Sequence, residues 1–224
     1  IAQAKHIKKS HVKVHLNTSV ETIGGVVGNF GAHLSNGKDL TIGAVVVATG
    51  SIPYQPIEFE HGKDQKVITN LALEKAMAAG KVKAEHITFV ACVGSRQVHM
   101  GCSRYCCTSM ISQALRLREM GKKVRVLFKE IRTYSRQAEE LYEKAMRAGV
   151  QFIQYDPDKT PQEALAWDGK TINLQDHLLQ KDISIPTDLL VLVVGLTPPA
   201  DNLAEQLKLS RSEDGFYMEL HPKL

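Results

Sequence analysis

The chain has 224 residues, 43% hydrophobic and 23% charged, with 28 basic against 24 acidic side chains and a formal charge of +4. That is an ordinary globular composition, long enough for one large core or two modest ones. Aromatics are only 6% and the small positive excess forms no stripe, so nucleic-acid binding is not expected. No apolar stretch approaches the roughly 20 residues of a membrane-spanning helix.

The polar, basic start IAQAKHIKKSHVK lacks the apolar segment of a signal peptide. The chain opens on Ile and stops at HPKL soon after a turn, and it reads as an internal segment of a longer polypeptide. Residues 12–50 alternate apolar and polar positions and are cut by Gly24-Gly25, Asn29 and Asn36-Gly37, which predicts a β-meander. The meander closes on the apolar run Ala44–Ala48, expected as a strand buried on both faces. Pro53 and Pro56 make 51–65 a connection.

A helix is predicted over 70–79, with Asn70 as N-cap, Leu73, Ala76 and Met77 on its apolar face, and Gly80 as its stop. The pattern then changes. Strand 86–93, helix 105–120 ending at Gly121, strand 123–129, helix 135–148 ending at Gly149, and strand 150–155 follow one another. Apolar strands alternating with Gly-terminated helices imply a parallel sheet with right-handed crossovers. Residues 163–186 return to β pattern around Asp168-Gly169, with Trp167 beside that turn. A last apolar strand covers 188–195, and Pro198-Pro199 marks a boundary. The expected fold class is α/β: a Rossmann-like βαβαβ domain of nucleotide-binding type, three-layered with a β-meander, beside a β-rich part.

All four cysteines, Cys92, Cys102, Cys106 and Cys107, lie within 16 residues, spaced C-x9-C-x3-C-C. Cys92 ends a predicted strand and the others lie in the loop and first turns of the next helix, so the four thiols can meet at one edge of the βαβ unit. Several chemistries stay open. Adjacent Cys106 and Cys107 do not readily bridge each other, and nothing points to an oxidising compartment. A structural zinc usually uses paired C-x2–4-C knuckles, and buried cysteines also occur simply as small apolar residues. An iron–sulfur cluster is preferred, because four thiolates are what cubane clusters use. The helix N-terminus, Arg96 and Arg104 would offset its negative charge.

A dinucleotide site would carry G-x-G-x-x-G at the turn where this chain has Val93-Gly94-Ser95-Arg96, so one glycine of three remains. Glu130, after the second strand, stands where an acid would hold a ribose; a surface glutamate reads equally well. His99, between Cys92 and Cys102, reads as a solvated loop residue in preference to a ligand. No Ser/His/Asp or Cys/His nucleophile arrangement stands out, and no catalytic acid, base or nucleophile is nominated. The charges of helix 135–148 read as a solvated face.

The run CVGSR (92–96), then CSRYCC (102–107), a helix, and VLFKEIRTY (126–134) resembles the A subunit of heterodisulfide reductase. It is also similar to the A subunit of quinone-interacting membrane-bound oxidoreductases. GAVVVATGS (43–51) and DLLVLVVGLTPPADNL (188–203) look like the strands that frame the nucleotide domain of thioredoxin-reductase-like flavoproteins. The resemblance runs from about residue 12 to the C-terminus.

This resemblance implies a 4Fe-4S cluster on Cys92, Cys102, Cys106 and Cys107, near an FAD, with electrons relayed to partner subunits of such a complex. It implies that Val20 approaches the adenine end of FAD, that Ala48, Thr49 and Gly50 line its flavin side, and that Gly94 and Arg96 contribute to cofactor binding. The main FAD segments lie outside this sequence in the family. Implied domains are a partial FAD-binding part (1–55), a nucleotide-binding-like domain carrying the cysteines (56–198), and a return to the FAD part (199–224). The implied setting is cytoplasmic, with any membrane association through partner subunits. Two other functions fit the residues: an NAD(P)H-dependent FAD disulfide reductase, and a non-catalytic zinc-stapled binding module.

Overall fold

The computed structural model describes residues 11–97 and 99–218. Expectations resting on 1–10 and 219–224 lie outside the described residues. The chain forms two compact units. One takes the chain up to Gly50, Pro199–Ser212 and the residues from Phe216; the other takes Ser51–Pro198 with Glu213–Gly215.

The first unit holds an antiparallel meander, β1 (Val20–Val26), β2 (Asn29–Leu34) and β3 (Asp39–Ile42), in the order β1-β2-β3. The turns fall next to Asn29 and at Asn36-Gly37 as expected, whereas Gly24-Gly25, expected to break the pattern, lie within β1 and pair with Gly31 and Phe30. Gly37, and Gly28 next to Asn29, take positive φ between paired strands. A short helix, Leu203–Leu207, fixes Gln206 beside β1, where its Oε1 accepts from Ile23 N at 2.6 Å and its Nε2 donates to Glu21 O at 3.2 Å. The predicted strand at Ala44–Ala48 does not form. Residues 44–50 lie outside the sheet and Val46 is 89% exposed. An apolar run becomes a strand only where a neighbour takes up its backbone groups, and this three-stranded sheet offers it none.

The second unit is built on five parallel strands. After the short β4 (Ile52–Pro53) come β5 (Val67–Thr69), helix α1 (Asn70–Ala78), β6 (His86–Val93), helix α2 (Cys106–Glu119), β7 (Lys123–Phe128), helix α3 (Ala138–Arg147) and β8 (Gln151–Gln154). A single-turn helix α4 (Pro161–Ala164) leads to β9 (Leu165–Trp167), β10 (Thr171–Asp176) and β11 (Lys181–Pro186), an antiparallel meander. The chain then returns as β12 (Leu189–Val194) and the short β13 (Leu196–Thr197), which pairs with β4. The parallel order is β5-β12-β6-β7-β8, with β12 inserted between β5 and β6.

Two apolar cores follow from the two faces of this sheet. Ile87, Phe89, Val124, Val126, Val191 and Val193 meet Leu73 and Met77 of α1, Met110, Ile111 and Leu117 of α2, and Ala145 of α3. Val90, Leu127, Leu190 and Leu192 meet Leu165, Ile172, Leu174 and Ile185 of the meander. Helices, sheet and meander are the three layers that the sequence pattern implied. The cap of α1 differs from expectation. Thr69 caps it, accepting from Ala72 N at 3.2 Å, because the fully buried Asn70 carboxamide accepts from Val194 N at 3.1 Å instead.

Candidate metal centre

Cys92 reaches its position through a register change. β6 and β12 pair as Leu192 with Val90 but Val194 with Val93, so β6 carries one extra residue there. This is a β-bulge, and Cys92 holds a left-handed φ of 65° within it. Strict alternation would send Cys92 to the meander face with Val90. The bulge turns it to the helix face, where it packs in the same core as Cys106.

Cys106 and Cys107 are the first two residues of α2, where backbone N–H groups lack intrahelical partners. Cys102 is half-buried in the preceding loop; the other three thiols are buried. None is in a disulfide. Cys106 and Cys107 act on each other, which drives the Cys106 thiol up and the Cys107 thiol down. Burial, then the neighbouring Cys107, pushes Cys92 up to about 11. Cys92 and Cys106 each feel the charge of Cys102 and Cys107. Among the described residues, no group of three or more His, Cys, Asp or Glu side chains stands ready to hold a metal ion.

The loop between Cys92 and α2 is folded tightly. Cys92, Gly94, Arg96, His99 and Arg104 all take positive φ, and four of these are not glycine, a concentration of strain of the kind that marks functional loops. Arg96 N donates to Gly101 O at 3.1 Å and Gln97 pairs with Met100, which brings Arg96 opposite the residue before Cys102. The end of β12 clamps both ends of the loop. Gly195 N donates to Val93 O at 2.8 Å, Leu196 N to Ser103 Oγ at 2.8 Å, and Tyr105 Oη to Val194 O at 2.9 Å.

Positive charge surrounds the thiols. Arg96 Nη2 pairs with Glu130 Oε2 at 2.6 Å, and Arg132 binds the same oxygen through Nε at 3.1 Å and Nη2 at 3.0 Å. Arg96 and Arg132 favour the thiolate of Cys107; Arg96 and Lys129 favour that of Cys92. Arg104, expected to share this role, lies over the Tyr134 ring, 5.7 Å from its centroid. Arg96 Nη1 is buried with no hydrogen-bond partner. His99 is exposed and pairs with Glu213.

Gly94 and Arg96 share the cysteine loop, whereas Val20, Ala48, Thr49 and Gly50 belong to the other unit, all exposed. Of the two residues at the centre of the charge network, Glu130 was singled out for a ribose in place of this role, and Arg132 was legible only as part of the VLFKEIRTY run. Tyr54 was missed. It follows β4, its N donates to Gly195 O at 3.0 Å, and its ring covers Gly94.

The model of the pyridine nucleotide-disulphide oxidoreductase family matches residues 1–219. The chain belongs to this family. Among curated oxidoreductases, the A subunit of the H(2):CoB-CoM heterodisulfide,ferredoxin reductase of Methanothermobacter marburgensis is 34% identical over 212 residues, 83% of this chain and 31% of that protein. The iron-sulfur A subunit of the CoB--CoM heterodisulfide reductase of Methanocaldococcus jannaschii is 32% identical over 212 residues, 83% of this chain and 32% of its own. The chain therefore spans about a third of the length of these relatives.

Of solved structures, T. acidophilum thioredoxin reductase superposes with a TM-score of 0.56 at 16% identity, covering 96% of this chain and 63% of that one. The bacillithiol disulfide reductase of Bacillus cereus gives 0.54 at 15% identity, covering 97% and 62%. The fold is thus that of a pyridine nucleotide-disulphide oxidoreductase, a family of flavin enzymes. No helix among the described residues is long and apolar enough to cross a membrane.

Proposed function

We propose that this chain is the cluster-bearing segment of an FAD- and iron–sulfur-dependent, heterodisulfide-reductase-like subunit. Cys92, Cys102, Cys106 and Cys107 hold a 4Fe-4S cluster, and the whole protein relays electrons between a flavin, this cluster and partner subunits in the cytoplasm. The observation that carries this reading is chemical. Four free thiols, three of them buried, lie near one another in the fold, and Arg96, whose charge reaches Cys92, carries a buried N–H with no acceptor among the described residues. A cluster bound by thiolates brings sulfur acceptors with it, so the donor set and the orphaned donor fit the same group. When bound, such a cluster supplies one-electron storage.

The chain's own residues prepare the site. The bulge turns Cys92 to the helix face, and the start of α2 favours thiolate at Cys107. Arg96, Lys129 and Arg132 offset negative charge, while Tyr54 closes over Gly94 where a pyrophosphate would approach. The M. jannaschii relative, named for its iron-sulfur content, supports the metal reading. Val20, Ala48, Thr49 and Gly50 are proposed to meet the FAD, with residues 1–55 and 199–224 as its partial domain and 56–198 as the cysteine domain.

Anaerobic reconstitution with iron and sulfide tests the proposal. Iron and acid-labile sulfide should bind in equal amounts and give, after reduction, an EPR signal that Cys→Ser changes at the four positions abolish. Zinc retained in preference to iron, or a cluster that survives the loss of all four thiols, would overturn it.

A further inference from the structure

We infer that Arg96 is a positioning residue that sets the reduction potential of the centre held by the four cysteines, with Glu130 and the backbone turn at Gly101 holding its guanidinium in place. This rests on the cluster reading above. Arg96 lies four residues after Cys92, and its backbone bond to Gly101 sets it beside Cys102 in the folded loop. Its side chain is only 18% exposed. Glu130, anchored by Arg132 from the far side, takes Nη2, which leaves Nη1 buried and without an acceptor.

A buried donor left unpaired is unfavourable, and here it sits on the cation whose charge reaches Cys92 and Cys107. Glu130, a ribose-binding candidate by its place after β7, serves instead to restrain this arginine.

The physical consequence follows from charge. In a titration one electron passes from dithionite to the centre, no protein bond forms or breaks, and the pocket's charge falls by one unit. A fixed cation in a poorly hydrated pocket stabilises the more negative, reduced state, and hydrogen bonds to cluster sulfur act in the same direction. Arginine suits this task because its planar fork can bind a carboxylate with one nitrogen and offer another elsewhere, which an ammonium on a flexible stem does less well.

The experiment is an EPR-monitored redox titration of the reconstituted chain, with iron and sulfide assayed on each sample. Arg96→Gln should lower the reduction equilibrium constant about tenfold, a shift of about 59 mV to more negative potential for one electron. Arg96→Lys, which keeps the charge and loses the fork, should shift it less. Arg132→Gln, which removes a more exposed charge, should also shift it less.

A second measurement needs no variant. In the reduced chain labelled at the guanidino nitrogens of arginine with 15N, a nitrogen hyperfine coupling to the centre should appear, persist in Arg132→Gln and vanish in Arg96→Gln. Full iron content with an unmoved potential in Arg96→Gln, or no coupling in the labelled wild type, overturns the inference and leaves the cluster reading intact. A wild-type chain that takes up no iron overturns both.

Discussion

The ring of Tyr54 lies against the α-carbon of Gly94, so close that a Cβ built there would stand 2.2 Å from Tyr54 Cγ. Gly94 is the one glycine left at the turn where a dinucleotide's pyrophosphate closes in on related sheets. The aromatic ring has taken that approach. Its hydroxyl donates to Glu58 Oε1 at 3.1 Å, and Glu58 in turn accepts from Gln162 at 2.6 Å, so the ring is held from its far end.

Replacing Gly94 with alanine therefore meets two obstacles, the collision with Tyr54 and a φ of 65°. The expected cost is about 1–3 kcal/mol, read from urea unfolding of the metal-free chain. Tyr54→Ala in the same background should recover the part due to collision. A double-mutant cycle measures that coupling, and strictly additive effects would show that the contact carries none of it.

NADH and NADPH titrations followed by nucleotide fluorescence should reveal no saturable binding to the chain. Tyr54→Ala should not create it, since two of the three glycines of the pyrophosphate turn are still missing. Saturable binding abolished by changes at Glu130 would restore the nicotinamide-reductase reading.

Gly195→Ala should disturb the cysteine loop more than the sheet. The new Cβ would stand 2.7 Å from Gly94 O and 2.8 Å from Ser95 Cβ, contacts that the backbone has to yield. Faster thiol labelling of the metal-free chain, with a loss of about 1–3 kcal/mol, is the expected outcome. Unchanged labelling would separate Gly195 from the loop's integrity.

Asn70→Ala removes the acceptor of Val194 N and strands that donor in a fully buried position. The expected loss is about 1–3 kcal/mol, measured by chemical denaturation. A helix-cap role alone would give a smaller loss, because Thr69 already caps α1.

Asp188 supplies an acid-dependent part of stability. Its Oδ2 accepts from His86 N at 2.8 Å and Glu85 N at 3.2 Å, and the bond from His86, at the start of β6, holds the carboxyl below its ordinary range. A lowered folded value means the contribution is present above about pH 4 and is lost as pH falls through the folded value. Asp188→Asn should cost about 1 kcal/mol near neutrality and flatten this part of the acid limb. An unchanged slope below about pH 4 would assign it to other carboxylates.

The parallel sheet was readable because β6 and β12 are apolar on both faces and each of α1, α2 and α3 is followed by a glycine. β6 runs over His86–Val93 as its sequence suggested, and α2, β7 and β12 fall within a residue or so of expectation. The nearness of the four cysteines in the chain was readable from their spacing. The route by which Cys92 joins the others was not, since nothing in HITFVACV announces a bulge, and cysteine has no local preference for positive φ. Ala44–Ala48 misled because composition reports a tendency to pair and is silent on whether a partner strand exists. Tyr54 escaped notice because its importance lies in a contact with a residue 40 positions away, fixed by the two-residue pairing of β4 with β13. Asn70 looked like a cap by residue type, and a backbone donor from β12 outcompeted the helix for its oxygen.

The surplus residue in β6 also gives the pocket slack. Ile87 to Val90 are locked in register with β7 and β12 on both sides, whereas the ladder with β12 is interrupted just before the loop begins. Cys92 can shift along the strand axis when a ligand is loaded or lost without dragging the sheet with it. Amide hydrogen exchange should accordingly quicken at Ala91 and Cys92 on metal removal while Phe89 stays protected, confining the mechanical cost of assembling the site to a single strand end.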